Sequence, residues 1–158
     1  MDFNLEQYLN KGVTDIARDI AKASLTNPKN SLFMAQFAIA AKNANKKRSE
    51  AEKNGEHIPA FLMASITTKC NLHCAGCYAR ASHGCVDSDA ALANLLPATD
   101  WDRIFDEAET LGIAFILLAG GEPFLRQDVL RAAGTHKKIL FPIFTNGTML
   151  DPEAMQLL

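Results

Sequence analysis

The sequence predicts an α/β chain, with a helical N-terminal stretch followed by strand–helix units around a parallel sheet. Three observations carry this. Residues 1–58 place apolar residues at helical spacing and contain no strand-like run. From residue 59 onward, short and almost wholly apolar runs recur, as expected of strands covered on both faces. Between those runs lie segments of helical periodicity, and strand–helix alternation implies crossovers and parallel pairing.

Taken in order, Leu5, Leu9, Val13, Ile16, Ile20 and Ala23 fall on one face of a first helix. Asn27-Pro28 interrupts it, with proline suited to open a second helix. Leu32, Phe33, Phe37, Ala40 and Ala41 give that helix a core-facing stripe, and Gly55 is a stop. The run Ala60–Ile66 reads as the first buried strand. Thr99 is expected to cap the next helix, with Asp102 three residues on as in a capping box. Trp101, Ile104, Phe105, Ala108 and Leu111 form its buried face, and Gly112 ends it. Ile113–Leu118 is the second strand, and Gln127–Ala133 a short helix. Ile139–Phe144 is the third strand, where Pro142 points to a bulge or an edge. Asp151-Pro152-Glu153 opens a further helix. Beyond this rhythm there is no internal repeat and no low-complexity segment.

The 158 residues are 48% hydrophobic and 22% charged, enough for one modest core. A net charge of −2 gives no sign of a general nucleic-acid or membrane-surface binder, which usually shows a large basic excess. Lys46-Lys47-Arg48 is followed at once by Glu50, Glu52 and Glu56 and reads as a solvated helix face. The longest apolar candidate, Leu32–Ala41, is about half the roughly 20 residues a bilayer requires. The start Met1-Asp2-Phe3-Asn4 lacks the basic and apolar regions of a signal peptide, so the chain reads as cytoplasmic. Four cysteines in such a chain suggest metal binding or catalysis before disulfides.

Three of them are spaced C-x3-C-x2-C as Cys70, Cys74 and Cys77, in a loop after the first strand. Thiolates are soft ligands suited to zinc or iron–sulfur clusters. A closed zinc site or an ordinary cluster needs four ligands, so three would leave one metal position open. Gly120-Gly121-Glu122-Pro123 follows the second strand, and Phe144-Thr145-Asn146-Gly147-Thr148 closes the third. All three stretches stand at the C-terminal ends of their strands, where the active sites of β/α barrels lie.

In these stretches the sequence resembles the radical S-adenosylmethionine (radical SAM) enzymes: C-x3-C-x2-C after a first strand, GGEP after the second, and TNG after the third. The resemblance implies a partial (βα) barrel over residues 59–158, preceded by a helical extension over residues 1–58. It implies that Cys70, Cys74 and Cys77 hold a [4Fe–4S] cluster whose fourth iron binds SAM. Reductive cleavage of SAM would then give a 5′-deoxyadenosyl radical that abstracts hydrogen from a substrate, with a flavodoxin or ferredoxin as reductant. Gly120 and Gly121 would let the methionine end of SAM approach the backbone. Glu122 would support its ammonium or shape the turn, and Pro123 would stiffen the turn. The residue before the third cysteine, often aromatic in the family, is here Gly76; its backbone or the ring of Tyr78 would meet the adenine. For Tyr78 a partly buried core position is the alternative. Thr145 and Asn146 would face SAM, unless Asn146-Gly147 is only a turn.

Cys85 reads as a loop residue, a substrate-facing thiol or, last, a fourth ligand that would close the cluster. His73 reads as an exposed or supporting residue, and His57 and His136 have no constellation around them. The rival reading is a non-catalytic iron–sulfur or zinc module. The family's core needs more β/α units than the three read here, so the chain is expected to be an N-terminal part of a longer enzyme, or half of a barrel completed by another chain. The substrate is not specified; a peptide or a cofactor precursor fits the resemblance.

Overall fold

The computed structural model describes residues 28–82, 84–85 and 95–157, so the expected first helix lies outside the described residues. Helix α1 spans Pro28–Lys53, with proline at its first position, where the missing N–H costs nothing. Gly55, at φ 83°, turns the chain out of the helix. Phe33 and Phe37 stack at 6.4 Å on its half-buried side, whereas Leu32 of the expected stripe stays exposed, so the stripe is narrower than the sequence suggests. No helix among the described residues is long and apolar enough to cross a membrane.

The sheet is small and parallel. Strand β1 (Leu62–Ser65) pairs with β2 (Ile116–Ala119) in the register Leu62–Ile116 to Ser65–Ala119. All four β2 residues are buried, while β1 alternates, with Met63 and Ser65 exposed. The expectation that every strand is covered on both faces therefore holds for β2 and fails for β1, which lies at the edge of the described sheet.

The expected third strand does not form as a continuous strand. Residues 139–144 run parallel to β2 but join it only at two isolated bridges, Phe115–Leu140 and Leu118–Ile143. Pro142 is the cause. The ladder runs from Leu140 N to Ala114 O, Ile116 N to Leu140 O, Leu118 N to Pro142 O, and Phe144 N to Leu118 O. The one rung missing from this alternation is a donor at residue 142, and proline has none.

Helix α2 is a single turn, Tyr78–Ala81. Helix α3 spans Ala98–Leu111 and α4 spans Gln127–Ala133. Both pack on one face of the sheet, where Phe105, Ala108, Val129 and Leu130 meet Ala64, Ile66, Ile116 and Leu118. The expected Thr99–Asp102 capping box is absent. Pro97 holds the N-cap position without a side-chain bond, and the helix begins before Thr99. Asp102 turns instead to His136, which is buried, with Nε2 2.8 Å from Asp102 Oδ1 and Nδ1 3.6 Å from Asp106 Oδ1. His136 thus has a constellation after all, one turn of α3 wide, and its ring stands edge-on to Phe105 at 5.5 Å.

The basic cluster of α1 is also more than a solvated face. Lys47 Nζ donates to Glu109 O and Thr110 O, at 3.2 and 3.3 Å, and Arg48 donates to Gly112 O. These cations satisfy the last carbonyls of α3 and complement its dipole. Lys46 pairs locally, at 3.8 Å from Glu50, and Arg48 also reaches Asn45 Oδ1 at 3.3 Å. At the far end, Asp151 Oδ1 accepts from Ala154 N at 2.7 Å. Ala154–Leu157 then makes one tight turn in place of the expected helix.

Arg126 is nearly buried and joins three segments. It donates to Ile66 O at 3.2 Å, to Leu96 O at 2.9 Å, and to the Asp128 carboxylate at 2.9 Å. The hydrogen bond from Arg126, helped by its charge, holds the Asp128 carboxyl below its ordinary value of 3.8, against a smaller opposing effect of burial. A carboxyl with a lowered folded pKa stabilises the fold fully above its unfolded pKa, and that contribution is lost as pH falls through the folded value. Asp128→Asn should therefore flatten the dependence of Tm on pH below about pH 4, modestly because the side chain is half exposed. An unchanged acid limb would contradict this. Phe105 has no exposed surface and lies against Trp101, Phe141 and His136. Phe105→Ala should cost about 3–5 kcal/mol in denaturant unfolding followed by Trp101 fluorescence.

Candidate cofactor-binding site

The site is built where the pairing of β1 with β2 runs on past the strand ends. Ile66 N donates to Ala119 O at 2.9 Å, Gly121 N to Thr67 O at 2.8 Å, and Glu122 N to Lys69 O at 2.9 Å. The loop carrying the cysteines and the turn carrying the two glycines are therefore stitched backbone to backbone. That closeness explains the glycines. A Cβ on Gly120 would stand 2.4 Å from Thr67 O, and one on Gly121 would stand 2.1 Å from Lys69 O. Gly120 also has φ 147°, a conformation other residues rarely adopt.

Glu122 is the next residue and has no exposed surface. Its Oε1 accepts from Phe124 N at 3.0 Å and from Thr145 Oγ1 at 2.7 Å, and its Oε2 accepts from Asn146 N at 2.8 Å. The first bond caps the tight turn Pro123–Arg126, in which Pro123 is buried. The other two tie the turn after β2 to the end of the third segment. Buried carboxyl oxygens with three donors are satisfied as such groups must be. The sequence brought Glu122, Thr145 and Asn146 forward separately, and the structure joins them.

The cysteines come just after Lys69. Cys70 and Cys77 are half-buried and Cys74 is exposed; none is in a disulfide. Cys77 N donates to Cys74 O at 3.2 Å, and Cys77 then heads α2. Arg80 of α2 donates back to Leu72 O at 2.9 Å, folding the helix onto the middle of the loop. Asn146 Nδ2 reaches Asn71 Oδ1 at 2.8 Å and Cys70 Sγ at 3.9 Å, so the third segment also touches the loop. Among the described residues, no three His, Cys, Asp or Glu side chains converge on a single ion position.

Three residues stand apart. Gly76 is exposed, and nothing lies within 4 Å of where its Cβ would be, so sterics do not demand glycine there. Tyr78 is 74% exposed, which removes the core-aromatic alternative. Cys85 is buried, unlike the other three cysteines. Sequence reasoning missed Arg126, Asn71 and Thr148. Arg126 braces the ends of β1 and of the 95–97 segment, and Asn71 and Thr148 bond each other at 2.8 Å beside Cys70. An arginine on a short turn and two polar loop residues carry no periodic or spacing signal.

Gly121→Ala tests the stitching directly. Its methyl meets fixed backbone, so the cysteine loop must move, with an expected loss of roughly 1–3 kcal/mol in thermal or denaturant unfolding. Gly76→Ala, facing open space, should leave stability within about 0.5 kcal/mol.

The Radical SAM superfamily profile matches residues 64–158. Fe-coproporphyrin III synthase of Methanosarcina barkeri is 35% identical over 91 residues, which cover 56% of this chain and 21% of that protein. A PqqA peptide cyclase of Granulibacter bethesdensis is 33% identical over 100 residues, covering 62% of this chain and 25% of that protein. A GTP 3′,8-cyclase of Synechocystis is 33% identical over 96 residues, 57% of this chain and 27% of that protein. Among solved structures, Streptococcus suis SuiB bound to its precursor peptide SuiA superimposes with a TM-score of 0.55 at 27% identity, over 74% of this chain and 26% of that one. The chain thus spans only about a quarter of the length of these relatives. With a matched region that includes all three cysteines, the GGEP turn and the TNG segment, the chain belongs to the radical SAM superfamily.

Proposed function

We propose that residues 59–158 are the first units of a radical SAM barrel, with residues 1–58 as an added helical stretch. Cys70, Cys74 and Cys77 would hold a [4Fe–4S] cluster and leave its fourth iron to SAM. The observation that carries this reading is the union of the three loops, with the cysteine loop stitched to Gly120–Glu122 and both tied to Thr145–Asn146. The donor set fits the group: three thiols on one loop, none consumed by a disulfide. A four-iron cube takes each thiolate on a different corner, so its ligands need not converge on one point as those of a single zinc ion must.

When bound, the cluster would supply the electron that cleaves SAM reductively. The chain's own part is placement. The N–H groups of Gly121 and Glu122 and the carbonyl of Glu122 are engaged within the protein, so this turn would present the Gly120 and Gly121 carbonyl oxygens to the cofactor. That is the acceptor which a methionine ammonium requires. Glu122 and Pro123 would hold the turn's shape, and Gly76, Tyr78, Thr145 and Asn146 would line the rest of the cofactor's rim. A peptide or a cofactor precursor is the proposed substrate class. The peptide cyclase and the peptide-bound neighbour support the first, and the porphyrin and GTP enzymes the second. A flavodoxin or ferredoxin would supply electrons, in the reducing cytoplasm that three free thiols suit.

Anaerobic reconstitution with iron and sulfide tests this. About four irons per chain are expected, with a reduced-cluster EPR spectrum that changes when SAM is added. Cys70→Ala, Cys74→Ala and Cys77→Ala should each lose most of the iron, and Cys85→Ala should retain it. Tightly bound zinc without iron would overturn the reading, as would loss of iron in Cys85→Ala alone.

A further inference from the structure

Asn146 sits at the TNG turn, where it was expected to face SAM. Its side chain is held in a direction that suggests another task. Asn146 Oδ1 accepts from Thr148 N at 3.0 Å and from Thr148 Oγ1 at 2.7 Å. A backbone N–H can only donate, so the amide end facing Thr148 must be oxygen and the opposite end must be the NH2 group. That NH2 donates to Asn71 Oδ1 at 2.8 Å and points to Cys70 Sγ at 3.9 Å. Asn71 Nδ2 donates to Thr148 Oγ1 at 2.8 Å, closing a ring of three side chains. The backbone beneath is pinned as well, since Asn146 N donates to the buried Glu122 carboxyl. Both ends of the amide are thus assigned, and the free direction of its NH2 is the sulfur.

We infer that Asn146 is a positioning residue for Cys70, acting through an N–H···S contact on the cluster that this thiolate holds. The inference rests on the cluster assignment proposed above. An N–H donor at a ligand sulfur stabilises the cluster state with more negative charge on sulfur, which is the reduced one, and so raises the reduction potential. The same ring orients the Cys70 side chain, because Asn71, its neighbour in the chain, is one of the ring's members.

The test is the midpoint potential of the reconstituted cluster, measured by dithionite titration with EPR detection and without SAM. A residue acting only on SAM would leave that value unmoved. Asn146→Asp keeps the shape and the contacts to Thr148 but places an oxygen where the NH2 was. At a fixed potential it should lower the reduced-to-oxidised ratio about tenfold, equivalent to about 59 mV for one electron. Thr148→Val removes the ring's hydroxyl, with its two hydrogen bonds, and leaves the Asn146 amide in place; it should shift the ratio in the same direction by roughly threefold, within what the loss of two neutral hydrogen bonds allows. A wild-type cluster whose potential is unchanged in Asn146→Asp overturns this inference and leaves the proposed function standing. Should Asn146→Asp fail to retain its cluster, an unmoved Thr148→Val overturns it equally. A wild-type protein that takes up no cluster overturns both.

Discussion

The arrangement of the site depends on one buried carboxyl. Glu122 lies at the end of β2, wholly enclosed, and its two oxygens bind its own turn and the end of the third run of the sheet. In water these donors would gain little by meeting it; in the interior, each unpaired partner would carry a desolvation penalty of about 1–3 kcal/mol. The pairing is therefore obligatory once the segment is packed. It draws Thr145 and Asn146 toward the turn, and with them the ring that reaches Cys70.

A second set of constraints supports the first from behind. Arg126, four residues on, fastens β1's end and the 95–97 segment to the same tight turn, with Asp128 balancing its charge. Phe105 and the residues around it fill the space between α3 and the sheet. The helix is oriented in turn by Lys47 and Arg48 at one end and by the His136 pair near the other. The polar bonds at the site thus rest on an apolar core on one sheet face, while Met63 and Phe144 remain exposed.

The features legible in the sequence were periodic or locally coded. The two strands, α3, α4 and the Gly112 and Gly55 stops come from spacing and turn chemistry, and the cysteines and GGEP turn from their fixed patterns. The hidden features were decided by tertiary partners. Thr99 had the composition of a cap, but Pro97 fixed the helix start one residue before Thr99 and Asp102 found a buried histidine. Residues 139–144 had strand composition, and Pro142 did mark trouble, yet its effect on pairing appeared only when the partner carbonyls were known. In the sequence, the glycines at 120 and 121 point to what they admit from outside. The structure shows that the nearest demand comes from within, from the backbone of Thr67 and Lys69.

That last feature bears on how such a site can be rebuilt. The backbone of residues 67–70 occupies the side-chain space of Gly120 and Gly121, and the two stretches are bonded to each other, so neither has an independent shape. A designer who moved the cysteine loop alone onto another parallel sheet would meet a side chain where a carbonyl oxygen has to lie. The transferable unit is discontinuous in sequence: two strand ends, their parallel register and a residue pair without Cβ atoms travel together, and the cysteines come as their passenger.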